Sequence, residues 1–162
     1  MTYENTVKIM LNKGLLKIQK VDFSHIEALL LRAQKDLVSA KANLKIDEEV
    51  TYNYAYLAML RCGRSLVFMK GLRSVDGQQH KTIIELSGKI LGEKFKNIIK
   101  KFDRMRRKRN QFTYDPLMPV SVIEAENALK TAEEFVKKVL KIVQDVNPQL
   151  RLNIMNKNLQ IP

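Results

Sequence analysis

Residues 121–146, SVIEAENALKTAEEFVKKVLKIVQDV, decide the fold class of this chain. Apolar residues recur in this stretch at alternating intervals of three and four, at positions 122, 125, 129, 132, 136, 139, 143 and 146. Such spacing places them along one side of an α-helix. Ser121 and Glu124 have the capping-box spacing at its start, and Pro148 follows its end. The stretch therefore predicts a long helix that packs its apolar side against other helices.

The same spacing occurs in the residues that precede this helix. Apolar residues at 26, 30, 33, 37, 40 and 44 predict a second long helix, with a capping box at Ser24–Glu27. Further helices are predicted from about 47 to 70 and from about 80 to 91, followed by a strongly basic one that ends before Pro116. No strand-type alternation and no internal repeat are visible. We expect an all-α fold, an antiparallel up-and-down bundle of about five helices.

The domain organisation predicted from these patterns is simple. Residues 1–20 are expected to form an N-terminal arm or short helix, residues 21–147 the helical bundle, and residues 148–162 a C-terminal tail. The first 115 residues contain no proline, which suits long uninterrupted helices.

Several functional classes are excluded by what the sequence lacks. Cys62 is the only cysteine and the two histidines are far apart, so neither a disulfide nor a metal site is expected. Glycine-rich phosphate loops and known hydrolase motifs are absent, and no cofactor is predicted. No apolar stretch approaches the ~20 residues that cross a bilayer, and no signal-peptide pattern begins the chain. We therefore expect a cytoplasmic protein without a membrane partner.

Charge is the strongest compositional signal. The chain has 29 Lys and Arg against 17 Asp and Glu, a formal net charge of +12. Such an excess attracts polyanions, including nucleic acids, nucleotides and acidic protein surfaces. Composition alone does not choose among them.

The segment 103–115, DRMRRKRNQFTYD, concentrates this charge. The apolar stripe of its helix is formed by positions 95, 98, 102, 105 and 112, and Arg109 occupies the position between the last two. Partial burial is predicted for Arg109, and a guanidinium group placed there needs a partner. A bound phosphate and a structural carboxylate both fit that need. Arg104, Arg107 and Lys108 are either solvated cations or further phosphate contacts.

Several short motifs in order carry a resemblance to a known family. Arg109-Asn110 is followed by Tyr114-Asp115, and upstream lie YAYLAMLR at 54–61, Lys70-Gly71 and Gln79-His80-Lys81. Over roughly residues 10–146 the chain resembles the HEPN superfamily, in particular small prokaryotic HEPN proteins of toxin–antitoxin pairs. The resemblance implies a helical bundle, often dimeric, in which an Arg-Asn pair and a downstream histidine line an RNA-cleaving groove. It also implies a nucleotidyltransferase-like antitoxin as a possible partner.

One departure from the family's pattern bears on catalysis. By the resemblance, Arg109 would contact a phosphate and Asn110 would orient it, but Tyr114 occupies the position of the histidine. An imidazole with a pKa of about 6.5 transfers protons near neutral pH, whereas a phenol at about 10 is poorly matched. A tyrosine can still stack on a base or donate to a phosphate. The departure favours binding over cleavage.

The function predicted from the sequence is RNA or nucleotide binding by a homodimer. The candidate contacts are Arg104, Arg106, Arg107, Arg109, Asn110 and Tyr114, with His80, Tyr56 and Arg61 as secondary candidates. One alternative is a metal-independent endoribonuclease toxin that uses Arg109 and Asn110 with Tyr114 or His80. Another is a non-catalytic domain whose basic helix docks an acidic protein.

Overall fold

The structure, a computed structural model, describes residues 1–75 and 79–150. Within them the chain forms six α-helices and two short strands: α1 (Tyr3–Asn12), β1 (Leu16–Ile18), α2 (Phe23–Asn43), α3 (Glu48–Met69), β2 (Leu72–Ser74), α4 (Gln79–Leu91), α5 (Lys96–Tyr114) and α6 (Val122–Val146). A single 3₁₀ turn, Glu93–Phe95, joins α4 to α5. The predicted all-α bundle is confirmed. Most of the predicted C-terminal tail, residues 151–162, lies outside the described residues.

Local capping explains where the long helices begin. The Ser121 hydroxyl accepts from the Glu124 amide and the Glu124 carboxylate accepts from the Ser121 amide, so the capping box of α6 is confirmed. The capping box predicted at Ser24 is wrong. Asp22 caps α2 instead and accepts from the Ser24 amide at 2.9 Å, because a carboxylate one residue before the helix is an equally good acceptor.

The two short strands are a feature that the sequence did not predict. β1 and β2 pair antiparallel, with Leu16 opposite Ser74 and Ile18 opposite Leu72. Three residues are too few to show alternation, and the pairing joins segments that are distant along the chain. Gly14 and Gly71, at φ +71° and +74°, turn the chain into each strand.

α3 lies at the centre of the bundle. It packs against α2, α4, α5 and α6, and twelve of its residues are buried. The predicted stripe of α6 is buried from Ala125 to Val143, whereas its two end positions, Val122 and Val146, are exposed. Burial of these apolar surfaces is the main force that holds the helices together.

The packing of α4 on α3 depends on a close approach at Gly63. A β-carbon built on Gly63 would lie 2.6 Å from Ile83 Cγ2 and 2.9 Å from Ser87 Oγ. The absence of a side chain therefore lets the two helices touch. This contact holds the first turn of α4, which carries His80, alongside the middle of α3. None of the described helices is long and apolar enough to cross a membrane.

Candidate functional site

Side chains from three helices meet beside the first turn of α4. We call this cluster the His80 site: Asn53, Tyr56 and Arg64 on α3, His80 on α4, and Arg106 and Arg109 on α5. Tyr56 is fully buried, and the other five are half-buried. The cluster therefore combines an enclosed floor with polar groups that reach solvent.

Tyr56 and His80 form the floor of the site. The Tyr56 hydroxyl and His80 Nδ1 are hydrogen-bonded at 2.9 Å, and their rings lie 5.7 Å apart between centroids. Burial raises the pKa of the Tyr56 phenol far above its ordinary value, so it stays protonated. The hydrogen bond fixes one ring nitrogen of His80 and leaves Nε2 with the opposite donor or acceptor role.

Arg109 lies directly over this floor. Its Nε donates to Asn53 Oδ1 at 3.2 Å, and its guanidinium carbon lies 6.0 Å from the centroid of the Tyr56 ring. The partial burial predicted for Arg109 is confirmed. Its hydrogen-bond partner is a neutral amide and the face of an aromatic ring attracts its charge, so neither contact cancels that charge.

Arg106 and Arg64 add two further positive charges. Arg106 Nε donates to Asp103 Oδ1 at 2.9 Å. Arg64 is half-buried, and burial together with the nearby charge of Arg61 lowers the pKa of its guanidinium. Among the described residues, one carboxylate, that of Asp103, thus accompanies three guanidinium groups, and these groups together carry a positive excess.

The same three charges act on His80. Burial lowers the pKa of its imidazole, and the positive charges of Arg64, Arg109 and Arg106 lower it further. A ring whose ordinary pKa is about 6.5 is therefore neutral near pH 7. A neutral imidazole surrounded by cations is suited to contact an anionic group and to accept or pass a proton.

The structure brings together some of the sequence candidates and separates others. Arg106, Arg109, His80 and Tyr56 are neighbours, and Asn110 is half-buried next to Arg109. Tyr114 is 85% exposed at the last residue of α5. Because the helical repeat turns them away from Arg109, the exposed Arg104 and Arg107 lie outside the site.

Arg61 serves another purpose in this fold. Its Nε donates to Asp36 Oδ2 on α2, and the Asp36 side chain is only 2% exposed. Arg32 lies 3.8 Å from the other oxygen of the same carboxylate. Arg61 therefore joins α2 to α3 through a buried carboxylate rather than lying at the His80 site.

Sequence reasoning missed Asn53 and Arg64. Both were readable as a pattern, since they lie three residues before and eight residues after Tyr56, which places all three along one side of α3. The signal was hidden because α3 carries polar residues on several sides and the reasoning centred on α5.

Comparison with known families identifies the family of this chain. Residues 26–143, most of the chain, match the family model described as HEPN domain. The chain belongs to the HEPN domain family. No curated protein and no solved structure matches the chain. In this HEPN domain the matched region begins in α2 and ends in α6, so it contains every residue of the His80 site.

Proposed function

We propose that this HEPN domain binds RNA or a nucleotide by holding a phosphate at the His80 site. The observation that carries the proposal is the arrangement of three guanidinium groups around a neutral imidazole, with Asp103 as the one accompanying carboxylate in the part of the chain that the structure describes. Arg109 and Arg106 contact phosphate oxygens through charge-assisted hydrogen bonds, and Arg64 adds attraction from α3. His80 Nε2 and the Asn110 amide supply further polar contacts.

A short RNA tests this proposal directly. Fluorescein-labelled triuridylate is titrated with the wild-type protein and with Arg106→Gln/Arg109→Gln, and binding is followed by fluorescence anisotropy. We expect the double variant to lose at least about tenfold in affinity, because two charge-assisted contacts are removed. The matched control is Lys35→Gln/Lys41→Gln, which removes two exposed cations from α2, a helix that makes no contact with α5.

Two results would overturn the proposal. One is that the wild-type protein does not bind triuridylate. The other is that Arg106→Gln/Arg109→Gln, shown by circular dichroism to be folded, binds it as well as the control does. Binding of an acidic polypeptide in place of RNA would support a protein-docking role instead.

A second candidate function, metal-independent RNA cleavage, is favoured by the position of His80. If Nδ1 donates to the Tyr56 oxygen, Nε2 is free to accept the proton of a 2′-hydroxyl group. The 2′-oxygen then bonds to phosphorus and the bond to the 5′-oxygen breaks, with a proton from solvent completing that leaving group. The products would be a 2′,3′-cyclic phosphate and a 5′-hydroxyl end. Tyr114 is too exposed and too far along α5 to share this floor.

Product analysis separates cleavage from binding. RNA is incubated with the protein in the presence of a chelator, and the new ends are identified. Cyclic phosphate ends that disappear in His80→Gln but persist in Tyr114→Phe would support the second candidate. RNA that stays intact while triuridylate binds would leave binding as the function.

The assembly proposed for this protein is a homodimer that acts with a nucleotidyltransferase-like antitoxin. The resemblance to small prokaryotic HEPN proteins of toxin–antitoxin pairs supports it. Two exposed apolar side chains at the connection between α5 and α6 support an interface there: Leu117 and Ile123 are each more than two thirds exposed. Light scattering after gel filtration tests the dimer, and Leu117→Ser/Ile123→Ser should shift the mass to that of a monomer.

A further inference from the structure

A second basic feature of α5 is a groove on the side away from His80. The groove lies between α5 and α6 and has a volume of about 910 Å³. Five cations line it, namely Lys101, Arg104, Arg107 and Lys108 on α5 and Lys130 on α6. It is large enough for more than an isolated ion, and none of its lining residues belongs to the His80 site.

The carboxylates of the groove already have cationic partners. Glu124 lies 3.4 Å from Lys108 Nζ, and Glu134 accepts from Lys138 Nζ at 2.8 Å. Arg107 Nε lies 3.4 Å from Asp103 Oδ2. Among the described residues, no carboxylate forms an ion pair within 4.0 Å with the other three cations, Lys101, Arg104 and Lys130. The groove therefore keeps an excess of positive charge that the protein itself does not neutralise.

The remaining surface of the groove combines apolar and amide groups. Met105 and Ala128 are buried at its base, while Gln111 and Asn127 are exposed along its walls. Single-stranded nucleic acid offers matching chemistry, since its bases pack on apolar surfaces and bond to amides while its phosphates contact cations. A free phosphate would use only the cations.

The groove and the His80 site lie on opposite sides of one helix. Arg106 and Arg109 flank the buried stripe of α5 on the side of α3 and α4, and Lys101 and Arg104 flank it on the side of α6. Exposed residues of α5 outside both sites include Lys100 and Tyr114, and the exposed Arg107 lines the outer edge of the groove. A helix with its side chains is about 10–12 Å across, so a mononucleotide cannot reach both sites.

We propose that the groove between α5 and α6 is a second binding site for single-stranded RNA, occupied by the continuation of the strand whose phosphate lies at the His80 site. The strand crosses the outer surface of α5, where Arg107 contacts its backbone and the exposed Tyr114 ring stacks on a base. This inference rests on the proposed function. It adds that the ligand is a polynucleotide rather than a nucleotide.

Ligand length separates the two sites in a binding experiment. Labelled triuridylate and a labelled twelve-nucleotide oligouridylate are titrated by fluorescence anisotropy with the wild-type protein and with Lys101→Gln/Arg104→Gln/Lys130→Gln. The control, Lys35→Gln/Lys41→Gln/Lys45→Gln, removes the same charge from exposed positions on α2 and the turn after it. Circular dichroism establishes that each variant is folded.

We expect the wild-type protein to bind the longer RNA more tightly than triuridylate. The groove variant should lose about tenfold or more on the longer RNA and keep its affinity for triuridylate. Its slope of log affinity against log salt concentration should fall by about 2, at roughly 0.7 per phosphate contact on a single strand. The α2 control should change neither the affinity nor the slope.

Three outcomes would overturn the inference. The first is equal affinity of the wild-type protein for the two RNAs. The second is that the groove variant has the same affinity as the α2 control for both RNAs while Arg106→Gln/Arg109→Gln still loses affinity for triuridylate. That result would contradict the second binding site and leave the proposed function supported. The third is that the wild-type protein binds polyglutamate, and that the groove variant no longer binds polyglutamate but still binds the longer RNA.

Discussion

The Tyr56 hydroxyl and His80 Nδ1 lie 2.9 Å apart, and this hydrogen bond ties the middle of α3 to the first turn of α4. Arg109 adds the third helix, because its guanidinium carbon lies 6.0 Å from the centroid of the Tyr56 ring. The packing of α3, α4 and α5 thus determines the distance between the imidazole and the arginines, and the chemistry of the site depends on that packing.

RNA affinity should rise as the pH falls. In the free protein, burial and the charges of Arg64, Arg109 and Arg106 hold the pKa of His80 below its ordinary value. A bound phosphate brings negative charge and raises that pKa, so binding takes up a proton in the window between the free and bound values. Titrations with triuridylate from about pH 8 to pH 5 should show this increase. An equal increase in His80→Gln would contradict the assignment.

The same shift should appear in the stability of the free protein. Since the folded pKa of His80 is lowered, the unfolded chain binds more protons below about pH 6.5. The contribution of the neutral His80 to the free energy of unfolding is therefore complete above that pH, and it is lost as the pH falls toward the pKa of His80 in the folded protein. Urea unfolding at a series of pH values should show a smaller loss in His80→Gln than in the wild type.

Removing the Tyr56 hydroxyl should break its hydrogen bond to the His80 imidazole without leaving a cavity in the core. Tyr56→Phe keeps the ring and should cost about 1 kcal/mol of unfolding free energy, as expected for one lost hydrogen bond. The ring ¹⁵N shifts of His80 should move toward a mixture of tautomers. Tyr54→Phe, a half-buried neighbour on the same helix, serves as the control and should leave those shifts unchanged.

Arg61 should affect stability and not RNA binding. Arg61→Met removes the main partner of Asp36, whose side chain is 2% exposed. We expect a loss of about 2–3 kcal/mol, less than the roughly 3–5 kcal/mol of a fully buried pair, because Arg61 is partly exposed and Arg32 remains nearby. Asp36→Asn/Arg61→Met should recover part of the loss. A tenfold drop in triuridylate affinity for a folded Arg61→Met protein would contradict this assignment.

Gly63 should be intolerant of even a methyl group. The new β-carbon of Gly63→Ala would lie 2.6 Å from Ile83 Cγ2, and the two helices must separate to admit it. We expect a loss of about 1–3 kcal/mol in thermal or urea unfolding. Gly88→Ala is the comparison, since its nearest atom, Ile99 Cγ2, lies 3.2 Å away and needs to shift by only a few tenths of an ångström. Equal stability of the two variants would show that the approach at Gly63 is not tight.

The sequence by itself determined the helices of this protein and the family to which it belongs. Helix formation depends on neighbours three and four residues apart, so the stripe of α6, its capping box at Ser121 and the end of α3 near residue 70 were readable. The error at Ser24 was local too, since two acceptors compete within two residues. The half-burial of Arg109 followed from its place in an apolar stripe.

Only the tertiary structure decided which polar residues meet. Tyr56 and His80 are 24 residues apart in the sequence. No local pattern predicts that Gly63 lets α4 approach α3 closely enough for the two side chains to meet. The cations of α5 look uniform in the sequence. Helix packing divides them, because α3 and α4 cover one flank of α5 and leave Arg106 and Arg109 at the His80 site, while the groove beside α6 takes Lys101 and Arg104. A contact between distant segments depends on how buried surfaces fit together, and one-dimensional spacing does not contain that information.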